Sequence, residues 1–97
     1  MTSLSVLVPV YDEQHLVAAS LGRLLVLETS PHLERVQVVV VDDCSRDGTP
    51  RVLEGFRRER RLEASGPAAG GGPMVYRAEG SRIDWLFLRH ERNQGKG

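Results

Sequence analysis

Apolar positions along the chain fall into three short runs, with stretches of helical periodicity between them. Residues 4–8 (Leu-Ser-Val-Leu-Val) are rich in β-branched side chains and closed by Pro9, which suits a strand and its end. Residues 36–41 are apolar at nearly every position. Alternation is lost when both faces of a strand are buried, so this run predicts a covered parallel strand. Residues 84–88 (Asp-Trp-Leu-Phe-Leu) predict a third strand. Over residues 13–27, Val17, Leu21, Leu24 and Leu25 recur at helical spacing, with Leu16 and Ala18 beside them. Asp12 stands at the N-cap position of this helix, Glu13 at its positive end, and Thr29-Ser30-Pro31 breaks it. A second helix is signalled by Thr49 as N-cap and Pro50 at the first helical position, with Val52, Leu53 and Phe56 as its buried stripe.

Residues 65–80 fit neither pattern. Their first part, Ser-Gly-Pro-Ala-Ala-Gly-Gly-Gly-Pro, is of low complexity and buries too little apolar surface to offset ordering entropy. They read as a flexible surface insertion.

Strand, helix, strand, helix, strand is the pattern of an α/β protein. With right-handed crossovers it gives a Rossmann-like parallel sheet of strand order 3-2-1 with flanking helices. Ligands of such sheets bind beyond the carboxyl ends of the strands. Three polar clusters fall there: Tyr11-Asp12-Glu13, Asp42-Asp43-Cys44-Ser45 and Asn93-Gln94-Gly95-Lys96-Gly97.

The totals narrow the partners. Ninety-seven residues bound the chain to one small domain. Thirteen Lys and Arg balance thirteen Asp and Glu, so charge gives no argument for nucleic acid or an acidic membrane surface. Arg46, Arg51, Arg57, Arg58, Arg60 and Arg61 are interleaved with Glu54, Glu59 and Glu63, as on a solvated helix face. Cys44 is the only cysteine, which excludes an internal disulfide and a cysteine zinc cluster. His15, His32 and His90 lack the spacing of a metal pair on one helix. No apolar stretch approaches the ~20 residues of a membrane helix, and no basic residue precedes the first apolar run as in a secretory signal. A soluble, cytoplasmic domain is the expectation.

The acidic clusters suit a nucleoside. Uracil and guanine present an imide N–H, and a carboxylate fixed at a strand end accepts it through a charge-assisted hydrogen bond. Ribose hydroxyls want acceptors too, and an aromatic ring covers base or sugar. Asp42, Asp43, Glu13 and Tyr11 supply these groups. A dinucleotide fingerprint is excluded, because Pro9-Val10-Tyr11-Asp12-Glu13 stands where Gly-x-Gly-x-x-Gly would. A P-loop is excluded by His90 and Gly97 at the positions that need Gly and Ser or Thr.

In this order the three clusters resemble the family 2 glycosyltransferases of the GT-A fold. That family's Pro-x-Tyr-Asn-Glu is matched by Pro9-Val10-Tyr11-Asp12-Glu13, with Asp12 in place of the usual Asn. Its Val-Asp-Asp-x-Ser-x-Asp-Gly-Thr is matched by residues 41–49, and its Asn-x-Gly-Lys-Gly by residues 93–97. The resemblance implies that Pro9, Tyr11 and Glu13 line a nucleoside pocket, Val41 packs near the base and Asp43 bonds its imide. Asp42 would hold the loop, and Asp47 and Thr49 would shape the turn and cap the second helix. A narrower likeness is to dolichol- and polyprenol-phosphate sugar transferases. The donor implied is a UDP- or GDP-linked sugar, and the acceptor a lipid phosphate. The divalent metal of the family, Mg²⁺ or Mn²⁺, is held by an Asp-x-Asp after a fourth strand. No Asp-x-Asp occurs in residues 1–97, so the chain is expected to be the N-terminal nucleotide-binding part of the domain, inactive alone and without catalytic residues.

Three other readings fit less of the chain. A receiver domain would need a phosphorylatable Asp at the end of the third strand, where Arg89 stands. A nucleotidyltransferase would want a basic, glycine-rich loop where Pro9 to Glu13 is acidic and lacks glycine. A non-catalytic nucleotide-binding module shares the same pocket and differs only in lacking chemistry.

Overall fold

The computed structural model describes residues 2–43, 45–68 and 70–90. The elements run β1 (Ser3–Val10), α1 (Val17–Arg23) continued by a 3₁₀ segment (Leu24–Thr29), β2 (Arg35–Asp43), α2 (Thr49–Glu59), β3 (Glu63–Pro67), β4 (Met74–Arg77) and β5 (Ile83–His90). They form one mixed sheet of order β1-β2-β5-β4-β3. β1, β2 and β5 are parallel, with Val8 opposite Val40 and Val40 opposite Phe87. These three are the strands expected from the sequence, in the expected 3-2-1 order.

Register and alternation sort the side chains onto two faces. Val6, Val8 and Val10 of β1, Val36, Val38 and Val40 of β2, and Ile83, Trp85 and Phe87 of β5 share one face. Val17 and Leu21 of α1 and Leu53 and Phe56 of α2 join them in a single core cluster. Two right-handed crossovers advancing in one direction put both helices on the same side. Trp85 anchors this core, edge-on to Phe56 at 5.2 Å and stacked on Phe87 at 6.2 Å. The other face carries Leu7 opposite Val39 opposite Leu86, and Pro9 opposite Val41 opposite Leu88. No helix among the described residues packs there, and Leu7 is 68% exposed, although Leu86 is buried.

Residues 65–80 depart from the expected loop. β3 and β4 pair antiparallel, and β4 joins β5 through Tyr76 opposite Trp85. The low-complexity composition marks only the tip of this hairpin, where the Ala68 N–H donates to the Pro73 carbonyl at 2.8 Å. The flanks find partners in each other and in the β5 edge, which satisfies backbone groups that local composition leaves unaccounted for. Gly66, at φ +126, takes up the irregularity between Ala64 and Gly66, which a residue with a Cβ would resist.

The helix starts are also displaced from expectation. α1 begins at Val17 with no side-chain cap, and the expected single helix over 13–27 changes to 3₁₀ geometry at Leu24. Asp12 is not its N-cap: it lies in the left-handed region at φ 47 and points its carboxylate at the loop after β2. Thr49 opens α2 from inside, with Gly48 at the N-cap position and Pro50 in the first turn. α2 stops in a left-handed Arg61 at φ 56, with the Leu62 N–H donating back to the Arg57 carbonyl and Leu62 buried beneath. Arg51, Arg58, Arg60 and Arg61 are exposed, as the sequence predicts for a solvated face, while Arg57, paired like Arg58 with Glu54, turns over the Tyr76 ring.

Candidate functional site

β1 and β2 leave the sheet side by side, and the loops that follow them are laced together. The Asp12 N–H donates to Ser45 Oγ at 2.9 Å, and Asp12 Oδ1 accepts the N–H groups of Arg46 at 2.7 Å and Asp47 at 3.4 Å. The Glu13 N–H donates to Thr49 Oγ1 at 2.9 Å, and the Gln14 N–H to Asp47 Oδ2 at 3.2 Å. Gln14 Oε1 in turn accepts the Gly48 N–H at 2.5 Å. Six bonds across 33 to 36 residues of sequence fix one loop to the other. A Cβ at position 48 would meet the Gln14 carboxamide, the movable end of a long side chain, and would displace it from its bond to the Gly48 N–H.

Asp47 is the hub of the second loop. Its Oδ1 accepts the Thr49 N–H at 2.9 Å and the Thr49 hydroxyl at 2.5 Å, as the expected role in the turn and helix start requires. Desolvation pushes its carboxyl up, but the bonds from the Thr49 hydroxyl, the Thr49 N–H and the Gln14 N–H outweigh it and hold the pKa below the ordinary value.

The paired acids of β2 part company. Asp42 faces the helical side and is buried, its Oδ1 accepting the Ser45 N–H at 3.1 Å and its Oδ2 paired with Arg89 Nη1 at 2.5 Å. Arg89 also donates to the Ser45 carbonyl at 3.2 Å. Asp42 thus holds the loop, and its carboxylate is occupied by protein groups. Asp43 faces the open side, partly exposed, with His90 Nδ1 3.4 Å from its Oδ1. Pro9 and Val41 are register partners on that same side, next to the strand ends. Tyr11, 45% exposed, and the exposed Glu13 follow in the loop after β1. The open face therefore brings Pro9, Val41 and Asp43 together and excludes Asp42, while Tyr11 and Glu13 lie in the loop after β1, the Glu13 N–H held by Thr49 at the start of α2. The third cluster, Asn93 to Gly97, lies outside the described residues.

Ser45, Gln14, Arg89 and His90 were not singled out by motif spacing as parts of the site. The first two sit inside the motifs or next to them, and only the lacing of the loops assigns them work. Among the described residues no group of three or more His, Cys, Asp or Glu comes together as a metal cluster. No helix among them is long and apolar enough to cross a membrane.

The profile of glycosyl transferase family 2 matches residues 5–70, which contain both laced loops. Two curated relatives, poly(ribitol-phosphate) beta-N-acetylglucosaminyltransferase TarS of Staphylococcus aureus strains Mu50 and MW2, are each 36% identical over 95 residues. The match takes in 91% of this chain and 16% of the relative, so the chain spans about a sixth of the length of the proteins it resembles. No solved structure matches the chain significantly. Neither relative's name speaks of polyprenol phosphate, and the narrower likeness to that branch finds no support in them. The mixed α/β sheet with its flanking helices is the arrangement of the N-terminal half of a GT-A domain. On its sequence, its fold and the match over most of its length, this chain belongs to glycosyl transferase family 2.

Proposed function

We propose that the open-face strand ends hold the nucleoside of a nucleotide-sugar donor. In this reading Asp43 accepts the imide N–H of uracil or guanine, Pro9 and Val41 pack against the base, and Tyr11 and Glu13 border the ribose. The observation that carries it is the division of labour in the acid pair. Asp42 is committed to Arg89 and Ser45, while Asp43 emerges on the side where Pro9 and Val41 supply an apolar floor. A partly exposed carboxylate anchored at a strand end is a strong and specific acceptor. Family membership supplies the reaction class, transfer of a sugar from a nucleotide diphosphate to an acceptor, as an activity of a protein that contains this chain. For the acceptor, the relatives' printed name favours a polyol-phosphate polymer over polyprenol phosphate.

Titration calorimetry of the chain with UDP and with GDP tests the site. Asp43→Ala should weaken binding of the preferred nucleotide by ~1–3 kcal/mol. Asp47→Ala should instead lower the melting temperature through the turn it organises. An Asp43→Ala protein that binds like the parent would remove the base-recognition role.

A further inference from the structure

Each acid at the end of β2 has a nitrogen-bearing side chain opposite it on β5. Cα register pairs Asp42 with Arg89 and Asp43 with His90, and alternation sends the two pairs to opposite faces. On the helical face the pair is sealed, with the Asp42 side chain 3% exposed. On the open face the pair meets solvent, the His90 and Asp43 side chains being 46% and 31% exposed. Neither His90 nor its contact contributes to the core cluster.

We propose that His90 is a positioning residue for Asp43 and, through it, a determinant of base selectivity. The inference rests on Asp43 as the acceptor for the base. A carboxylate at a strand end turns about two bonds, and only some of its orientations aim an oxygen at a ligand lying over Pro9 and Val41. In the tautomer with its proton on Nδ1, 3.4 Å from Oδ1, His90 favours one of them before the ligand arrives, so less freedom is lost on binding. Donor–acceptor contacts of this kind are often long in the free protein and tighten when the ligand is bound. The consequence is selective. Uracil and guanine offer an N–H to an oriented carboxylate, whereas cytosine presents an acceptor lone pair at the corresponding ring nitrogen and gains nothing from that orientation. His90 therefore raises affinity for imide-bearing bases and leaves cytosine unaffected.

The test compares the tighter-binding of UDP and GDP with CDP, titrated into the full chain and three variants. His90→Ala should weaken the imide-bearing nucleotide by about 3- to 10-fold, the worth of one hydrogen bond, leave CDP unchanged and leave the melting temperature unchanged. His90→Asn, whose amide nitrogen lies close to the position of Nδ1, should recover most of the loss, which general damage to the fold would not allow. Asp43→Asn should collapse the preference altogether. Unchanged selectivity in His90→Ala, or equal loss of both nucleotides, overturns the proposal. If Asp43→Asn abolishes selectivity while His90→Ala does not, the role of His90 alone falls. If Asp43→Asn also leaves selectivity intact, the reading of the base site falls and takes this one with it.

Discussion

Asp12 accepts the Arg46 N–H at 2.7 Å across the gap between the loops that follow β1 and β2, from a backbone held at φ 47. Left-handed geometry is costly for most side chains and least so for Gly, Asn and Asp. The acceptor is a single oxygen, Oδ1, which also takes the Asp47 N–H. An asparagine carbonyl would serve equally, so the departure from the family's usual Asn changes the charge and not the bonding.

Two substitutions at this position should therefore differ sharply. Asp12→Asn should stay within ~0.5 kcal/mol of the parent in urea denaturation, as for a surface change that keeps its bonds. Asp12→Ala loses the acceptor and strains the backbone, and should cost ~1–2 kcal/mol. Equal stability of the two variants would mean that the lacing does not matter to the fold.

Acid should loosen the sheet through Asp84. This residue of β5 pairs with Arg35 of β2 at 2.8 Å and Arg77 of β4 at 2.5 Å, tying three strands together. Burial pushes its carboxyl up, but the hydrogen bonds from Arg77 and Arg35 outweigh this and leave the folded pKa below the unfolded one. A carboxyl lowered in the folded state contributes stability that is fully present above its unfolded pKa. That contribution is lost as pH falls through the folded pKa. The melting temperature should be level from pH 7 to 5 and drop below about pH 4, with Asp47 contributing in the same direction. Asp84→Asn should cost about 1 kcal/mol at pH 7, since both arginines are partly exposed, and should flatten the acid limb. An unchanged acid limb in that variant would show that other carboxyls govern it.

The hairpin should matter to stability, contrary to what its composition implies. Tyr76 of β4 lies edge-on to Phe87 at 6.0 Å, with the Arg57 guanidinium 5.1 Å from its ring centre. It therefore closes the far side of the core over β5. Tyr76→Ala should cost ~2 kcal/mol in denaturant unfolding, less than a fully buried aromatic, while Tyr76→Phe should cost little. Loss of no more than a few tenths of a kcal/mol in Tyr76→Ala would show that the hairpin adds little to the core.

What the sequence disclosed follows from which interactions are local. Residues 36–41 and 84–88 reveal themselves as strands by their apolar runs, but the expected cover on both faces is not found: β2 is buried on alternate positions, at Val36, Val38 and Val40, and its other face is only partly covered. β3 and β4 stay hidden because glycine and proline at the hairpin tip dominate the composition while pairing partners hold the flanks. Asp43 as a candidate was legible from the motif. The separate fate of Asp42, and the parts taken by Arg89 and His90, depend on the β2–β5 register, which no local pattern fixes. The same is true of the lacing bonds, made between side chains and backbone more than thirty residues apart.

β1 should make the chain associate as its concentration rises. Among the described residues β1 pairs with β2 alone, so there one side of Ser3–Val10 offers backbone groups as a template for another strand. Next to that edge, exposed Leu7 and partly buried Val39 begin an apolar row, ending in buried Leu86, on the face that no helix among the described residues covers. An exposed strand edge beside an apolar row is the combination that favours pairing between copies. Sedimentation velocity should show the mean sedimentation coefficient rising with loading concentration. Leu7→Lys places a charge in the row at a position already 68% exposed, so it should suppress association and leave the melting temperature of the dilute protein unchanged. If the parent chain sediments as a monomer at every concentration, the edge is not a pairing surface. If Leu7→Lys associates like the parent, the contact lies elsewhere on the molecule.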